Sequence, residues 1–102
     1  DPTCAAMAAS PLPNGLGVPG TEIFGVMAGA CMMRRAAFLG VGGYEPRLFL
    51  GREEALLAID LAAAGWSMAY VPSVTVHHRP SPRRDALARR RLLLRNALWC
   101  AW

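Results

Sequence analysis

The stretch Glu53-Glu54-Ala55-Leu56-Leu57-Ala58-Ile59-Asp60-Leu61-Ala62-Ala63-Ala64-Gly65-Trp66 decides how the rest of the chain is read. It is made of strong helix formers, with Leu57, Leu61 and Ala64 on one stripe and Gly65 as its stop. A helix over 53–64 follows. After it, Trp66 to Val71 has the composition of a strand, Pro72-Ser73 of a turn, and Val74 to His77 of a second short extended segment. Ser81 or Asp85 can cap a last helix, 82–102, whose apolar side is Leu87, Leu94, Leu98 and Trp102.

In the other direction, Tyr44 to Arg52 reads as a loop punctuated by Pro46 and Gly51. Arg35 to Val41 forms a short helix that Gly42-Gly43 stops. Ile23 to Arg34 is apolar and small enough for a buried strand, with Met32 and Met33 in the core. Residues 1–22 hold Pro2, Pro11, Pro13 and Pro19 and read as a Pro/Gly-rich loop or linker. The order is that of an α/β fold with too few strands to cover its apolar helices on both sides. An incomplete mixed sheet, and a piece of a longer protein, are expected.

Composition narrows the class. With 102 residues, 54% of them hydrophobic, there is material for one small domain and a packed core. The residues after Asp1 show no basic n-region and no apolar run suited to a signal peptide, and the uncharged apolar stretch Ile23 to Met33 is too short for a bilayer. A soluble protein is the expectation. Its three cysteines are odd in number, far apart and without metal-ligand spacing, which points to a reducing compartment, the cytoplasm. The net charge is +4 and all basic residues are arginine, six of the eleven between Arg83 and Arg95. That is one basic helix rather than a basic domain. It is open to three readings: a solvated face, an amphipathic helix on anionic lipid at the inner face of the membrane, or a contact to phosphate. Nucleic acid is not an expected partner, because no recognition motif accompanies the charge.

Chemistry concentrates in Glu53-Glu54 and His77-His78. The helix dipole at its first turn favours a charged carboxylate, which suits a general base. Adjacent helical residues point about 100° apart, so one faces a site while the other caps. Twelve helical residues carry the chain about 18 Å away, and a six-residue strand returns it by roughly 20 Å. The helix start can therefore meet the histidines. The bland alternatives are an acidic pair that only complements the dipole and a histidine that is only structural.

Gly29-Ala30-Cys31-Met32-Met33-Arg34-Arg35, Val41-Gly42-Gly43-Tyr44-Glu45, Leu48-Phe49-Leu50 with Glu53-Glu54, Ala63-Ala64-Gly65-Trp66, Tyr70-Val71-Pro72 and Val76-His77-His78 follow one another in a familiar order. Together they resemble the C-terminal, acceptor-side half of family-2 glycosyltransferases, which have the Rossmann-like GT-A fold. The resemblance runs from about residue 24 to 79 and assigns 23–102 to that half, with the basic helix 82–102 at its end. It implies transfer of a sugar from a nucleotide-sugar donor to an acceptor hydroxyl, usually with inversion. It makes Glu54 the general base, Glu53 an orienting or capping residue, and Gly42, Gly43, Tyr44 and Trp66 neighbours of the acceptor. Trp66 and Tyr70 read first as packing, and Trp66 can also stack on a sugar. The resemblance also implies a divalent metal, Mg or Mn, in the intact enzyme, with His77 as ligand and His78 as fallback.

Departures from the pattern are specific. Glu54 stands where the family has Asp, Glu45 and Pro46 replace an Asp-Glu pair, Leu56 replaces an Asp, and Asp60 replaces an Arg. A divergent subgroup or a lost activity would each account for them. The N-terminal half with its Asp-x-Asp motif is missing from these residues, so the fragment alone is expected to be inactive and to hold no cofactor. Against the enzyme reading stands a non-enzymatic module that docks on membrane or another anionic surface through its basic helix.

Overall fold

A computed structural model describes residues 3–10 and 21–101, and for 3–10 it is the backbone that is described. In chain order the elements are β1 (Thr3–Ser10), β2 (Thr21–Ile23), β3 (Cys31–Met33), α1 (Arg35–Gly40), α2 (Glu53–Ala63), β4 (Ser67–His77) and α3 (Ala86–Ala101). Short 3-10 turns at Ala28–Ala30 and Pro46–Leu48 complete them. The strands form one mixed sheet in the order β2-β4-β1-β3. β1 runs parallel to β3, and β4 runs antiparallel to both β1 and β2. The class is α/β, as the sequence predicts.

Four expectations about the elements change. The loop or linker over 1–22 is corrected at Thr3–Ser10, a strand inside the sheet, and at Thr21–Ile23; residues 1, 2 and 11–20 lie outside the described residues. The single buried strand over 23–34 is two short strands, because Gly25 and the turn at Ala28–Ala30 interrupt it. Phe24 is 84% exposed and Met32 71% exposed, so neither joins the core, whereas Met33 packs against it. Pro72-Ser73 makes no turn: β4 runs through it. The pairing Ala5↔Thr75 gives way to Met7↔Tyr70, so residues 71–74 stand opposite the single residue 6. In that bulge no ladder bond is asked of the proline nitrogen. The last helix starts at Ala86, where Asp85 Oδ1 accepts from the Ala88 amide at 2.9 Å, and its partner Trp102 lies outside the described residues.

The core sits where α1 and α2 meet the sheet. Ala37, Leu57, Ala58, Leu61 and Met68 are buried together, with Ile23, Val26, Met33, Phe38, Val41, Tyr44 and Trp66 packed around them. Leu57 and Leu61 lie one helical turn apart on the expected stripe of α2, and Ala58 replaces Ala64 as its third member. Gly65, at φ +83, ends the helix and lets the chain turn into β4. The turn after α1 works in the same way, through Gly42 at φ +85 and Gly43 at φ +72.

Candidate active site

The chain enters α2 through a backbone that few residues adopt. Leu50, Gly51 and Arg52 all have positive φ, at 59°, 121° and 69°. Outside glycine each such residue costs about 1–3 kcal/mol and needs its surroundings to hold it. The Glu53 carboxylate accepts a hydrogen bond from the Gly51 amide. On the other side, Asn96 Nδ2 donates to Leu48 O at 3.0 Å and Gly51 O at 2.7 Å, while its Oδ1 accepts from the Arg95 guanidinium at 3.0 and 2.8 Å. Asn96 is fully buried with every polar atom used. The strained turn is thus clamped between Glu53 and α3, and Glu54 follows directly after it.

Glu54 is half-buried and borders a cavity of about 210 Å³ with Met27, Gly29, Ala30, Val76, His78, Arg84 and Arg89. The predicted meeting of helix start and histidine is made by His78. His77 pairs through its backbone with Thr3 at the end of β4 and does not line the cavity. Arg84 Nη2 lies 3.4 Å from His78 Nε2. A guanidinium can only donate, so the imidazole nitrogen accepts there. The cavity holds one carboxylate, one imidazole and two guanidiniums, a set that can accept a proton and offset anionic charge.

A second cluster adjoins Glu54. The Tyr44 hydroxyl neighbours the Cys31 sulfur, and the Cys31 thiol faces Ala28 O at 3.8 Å. Burial pushes the Cys31 thiol up from its ordinary value, the tyrosine hydrogen bond opposes this, and the Glu54 charge adds to the rise. Burial also raises Tyr44, helped by the charges of Cys31, Glu54 and Glu53.

The remaining site expectations are placed elsewhere. Gly43 packs beneath Phe38, whose ring a Cβ there would meet at 3.1 Å, and Phe38 meets Tyr44 edge to face at 5.3 Å. Gly42 and Gly43 serve the backbone. Tyr44 lines a different hollow, with Phe49, Leu50 and Glu53. Trp66 lies beyond the far end of α2, in a hollow with Glu22, Phe24 and Gly65, and does not share the cavity with Glu54. Asn96 and Cys31 were not among the residues expected at the site. Arg84 and Arg89 stood only in a basic run open to solvent, lipid or phosphate.

Among the described residues no group of three His, Cys, Asp or Glu side chains is placed to hold a metal. In the cavity the possible donors are Glu54 and His78, and the Arg84 cation already occupies the approach to His78 Nε2. These two donors fall short of a site by themselves. No helix of the described residues is long and apolar enough to cross a membrane.

No family model matches the chain, and no solved structure does. Among curated proteins it is similar to N-acetylglucosaminyl-diphospho-decaprenol L-rhamnosyltransferase from two strains of Mycobacterium tuberculosis. Identity to each is 41% over 63 residues, which is 60% of this chain and 20% of theirs. The chain therefore spans about one fifth of the length of the curated relatives it matches. Its similarity, over that fifth, is to a glycosyltransferase.

Proposed function

We propose that the chain is the acceptor-side part of a family-2, GT-A type glycosyltransferase that moves a sugar from a nucleoside-diphosphate donor to an acceptor hydroxyl with inversion. One observation carries the reading: Glu54, presented by a clamped and strained turn, borders the same cavity as His78, Arg84 and Arg89. The relatives' name supports an acceptor of the same class, a saccharide hydroxyl carried on a lipid diphosphate. The free thiols Cys31 and Cys100 support a cytoplasmic setting.

In this mechanism the Glu54 carboxylate takes the proton of the acceptor hydroxyl. That oxygen forms its bond to the anomeric carbon as the bond from that carbon to the donor diphosphate breaks, and the electron pair leaves with the diphosphate. Arg84 and Arg89 offset the charge that develops beside them. Glu53 holds the turn that aims Glu54. The divalent cation of the resemblance, Mg or Mn, would need ligands beyond these residues, and no step here runs through it. The sequence carries no Asp-x-Asp, and the 102 residues by themselves are proposed to be inactive.

The test is Glu54→Gln in the full-length polypeptide that carries this sequence. Sugar transfer is expected to fall by about 100-fold or more while donor affinity holds. Transfer at the parent rate would remove Glu54 from the mechanism. Loss of donor binding together with transfer would make it a structural residue.

A further inference from the structure

α3 has two faces, and the fold uses one of them. Arg89, Leu92 and Asn96 turn inward, and Leu93 closes on Gly51, where an added Cβ would clash with its Cδ2. On the opposite side Leu87, Leu94 and Leu98 fall within about 20° of one line at 100° per residue. They are 60%, 62% and 67% exposed. Arg90 and Arg91 flank this line, both exposed. No acidic residue occurs from Ala86 to Ala101. A solvated face would carry charge along its centre; here the centre is leucine and the charge is on the margins.

We infer that the outer face of α3 is a docking surface for an anionic phospholipid bilayer, with the leucines at the acyl boundary and the arginine heads among the phosphates. Arginine stems lie along apolar surface while their heads stay at the wet level, which is the arrangement an interfacial helix needs. Charge complementarity selects the partner. An apolar protein groove would satisfy the leucines and leave Arg90 and Arg91 without anions, whereas a phosphate-bearing surface satisfies both. Glu54 and the sugar chemistry play no part, so the inference stands or falls apart from the proposed function.

The experiment is co-sedimentation of the chain with vesicles of equimolar phosphatidylglycerol and phosphatidylcholine, set against vesicles of phosphatidylcholine alone. Binding to the anionic vesicles is expected, weakened by salt. Arg90→Gln with Arg91→Gln should lower partitioning by about 25-fold, at about five-fold for each arginine. Leu94→Ser with Leu98→Ser should lower it by about ten-fold or more. Both pairs are exposed, so the circular-dichroism spectrum should keep its parent shape in either variant. Equal binding to neutral vesicles, or anionic binding that survives either pair, overturns the inference. So does an absence of vesicle binding joined to a self-associated chain that the leucine variant dissociates, for then a second copy covers the face.

Discussion

Cys31, Tyr44 and Glu54 form a small electrostatic unit whose members report on one another. The Glu54 charge disfavours the Cys31 thiolate, second in effect to burial among the causes that raise this thiol. Removing that charge lowers the thiol value part of the way towards its ordinary 9.0, and the burial contribution stays. At any pH below the thiol value the thiolate fraction then rises, and with it the rate of alkylation. Glu54→Gln should therefore speed modification of Cys31 by iodoacetamide, read by peptide-resolved mass spectrometry, with the exposed Cys100 as the internal comparison. The difference should close as pH rises through the Cys31 value and both forms ionise. An unchanged Cys31 rate would mean that the carboxylate does not face the thiol. This readout needs no sugar, donor or activity, so it locates Glu54 independently of what Glu54 does.

At the scale of elements, the Asn96 amide ties α3 to the turn before α2. Asn96 gives both of its N–H bonds to the carbonyls of Leu48 and Gly51, and Arg95 adds a bond of 3.1 Å to Arg47 O. Arg95 also stacks over Trp99 at 4.5 Å. Replacing Asn96 with Leu leaves two carbonyls without donors in a buried place, at about 1–3 kcal/mol for an unsatisfied group. A loss of about 2–4 kcal/mol in urea unfolding is expected, together with increased proteolysis in the 48–52 turn. A stability within error of the parent would show that α3 is held by something else. None of this was legible in the sequence, where Asn96 stood inside a basic run and the visible signal was the leucine stripe. Helical spacing exposes which residues share a face and not which face is buried, and here the polar side turned inward. α2 was legible because its leucines and Gly65 agree on one answer. β4 was not, because Pro72 is the strongest local signal for a turn. The proline is tolerated by two facts external to it: the bulge opposite residue 6, and β2 pairing only at Met68–Tyr70, which leaves the other edge of β4 open at that level. Helix and strand lengths permitted Glu54 and a histidine to border one cavity but did not fix it, because the expected turn at Pro72-Ser73 is absent and β4 runs on to His77. Which of two adjacent histidines lines that cavity depends on where β4 ends.

At the scale of the molecule, burial among the described residues is concentrated in very few large side chains. Of the eight buried hydrophobic residues described, Ala30, Ala37, Ala58 and Ala69 contribute little area, and the weight falls on Leu48, Leu57, Leu61 and Met68. Several large side chains meanwhile face outward, Phe24, Phe49 and Ile59 among them. A large-to-alanine change in a core costs about 2–5 kcal/mol, against a total of about 5–15 kcal/mol for an ordinary domain. Against that total, one such change removes a large share. Leu61 is fully buried where α2 meets α1 and β4, whereas Ile59, two residues away on the same helix, is 62% exposed. Leu61→Ala is therefore expected to abolish the cooperative thermal transition seen by circular dichroism, while Ile59→Ser shifts it by no more than a few degrees. If Ile59→Ser were as damaging as Leu61→Ala, the outward face of α2 would be covered in solution, and the chain would be stabilised by an association that its own residues do not display.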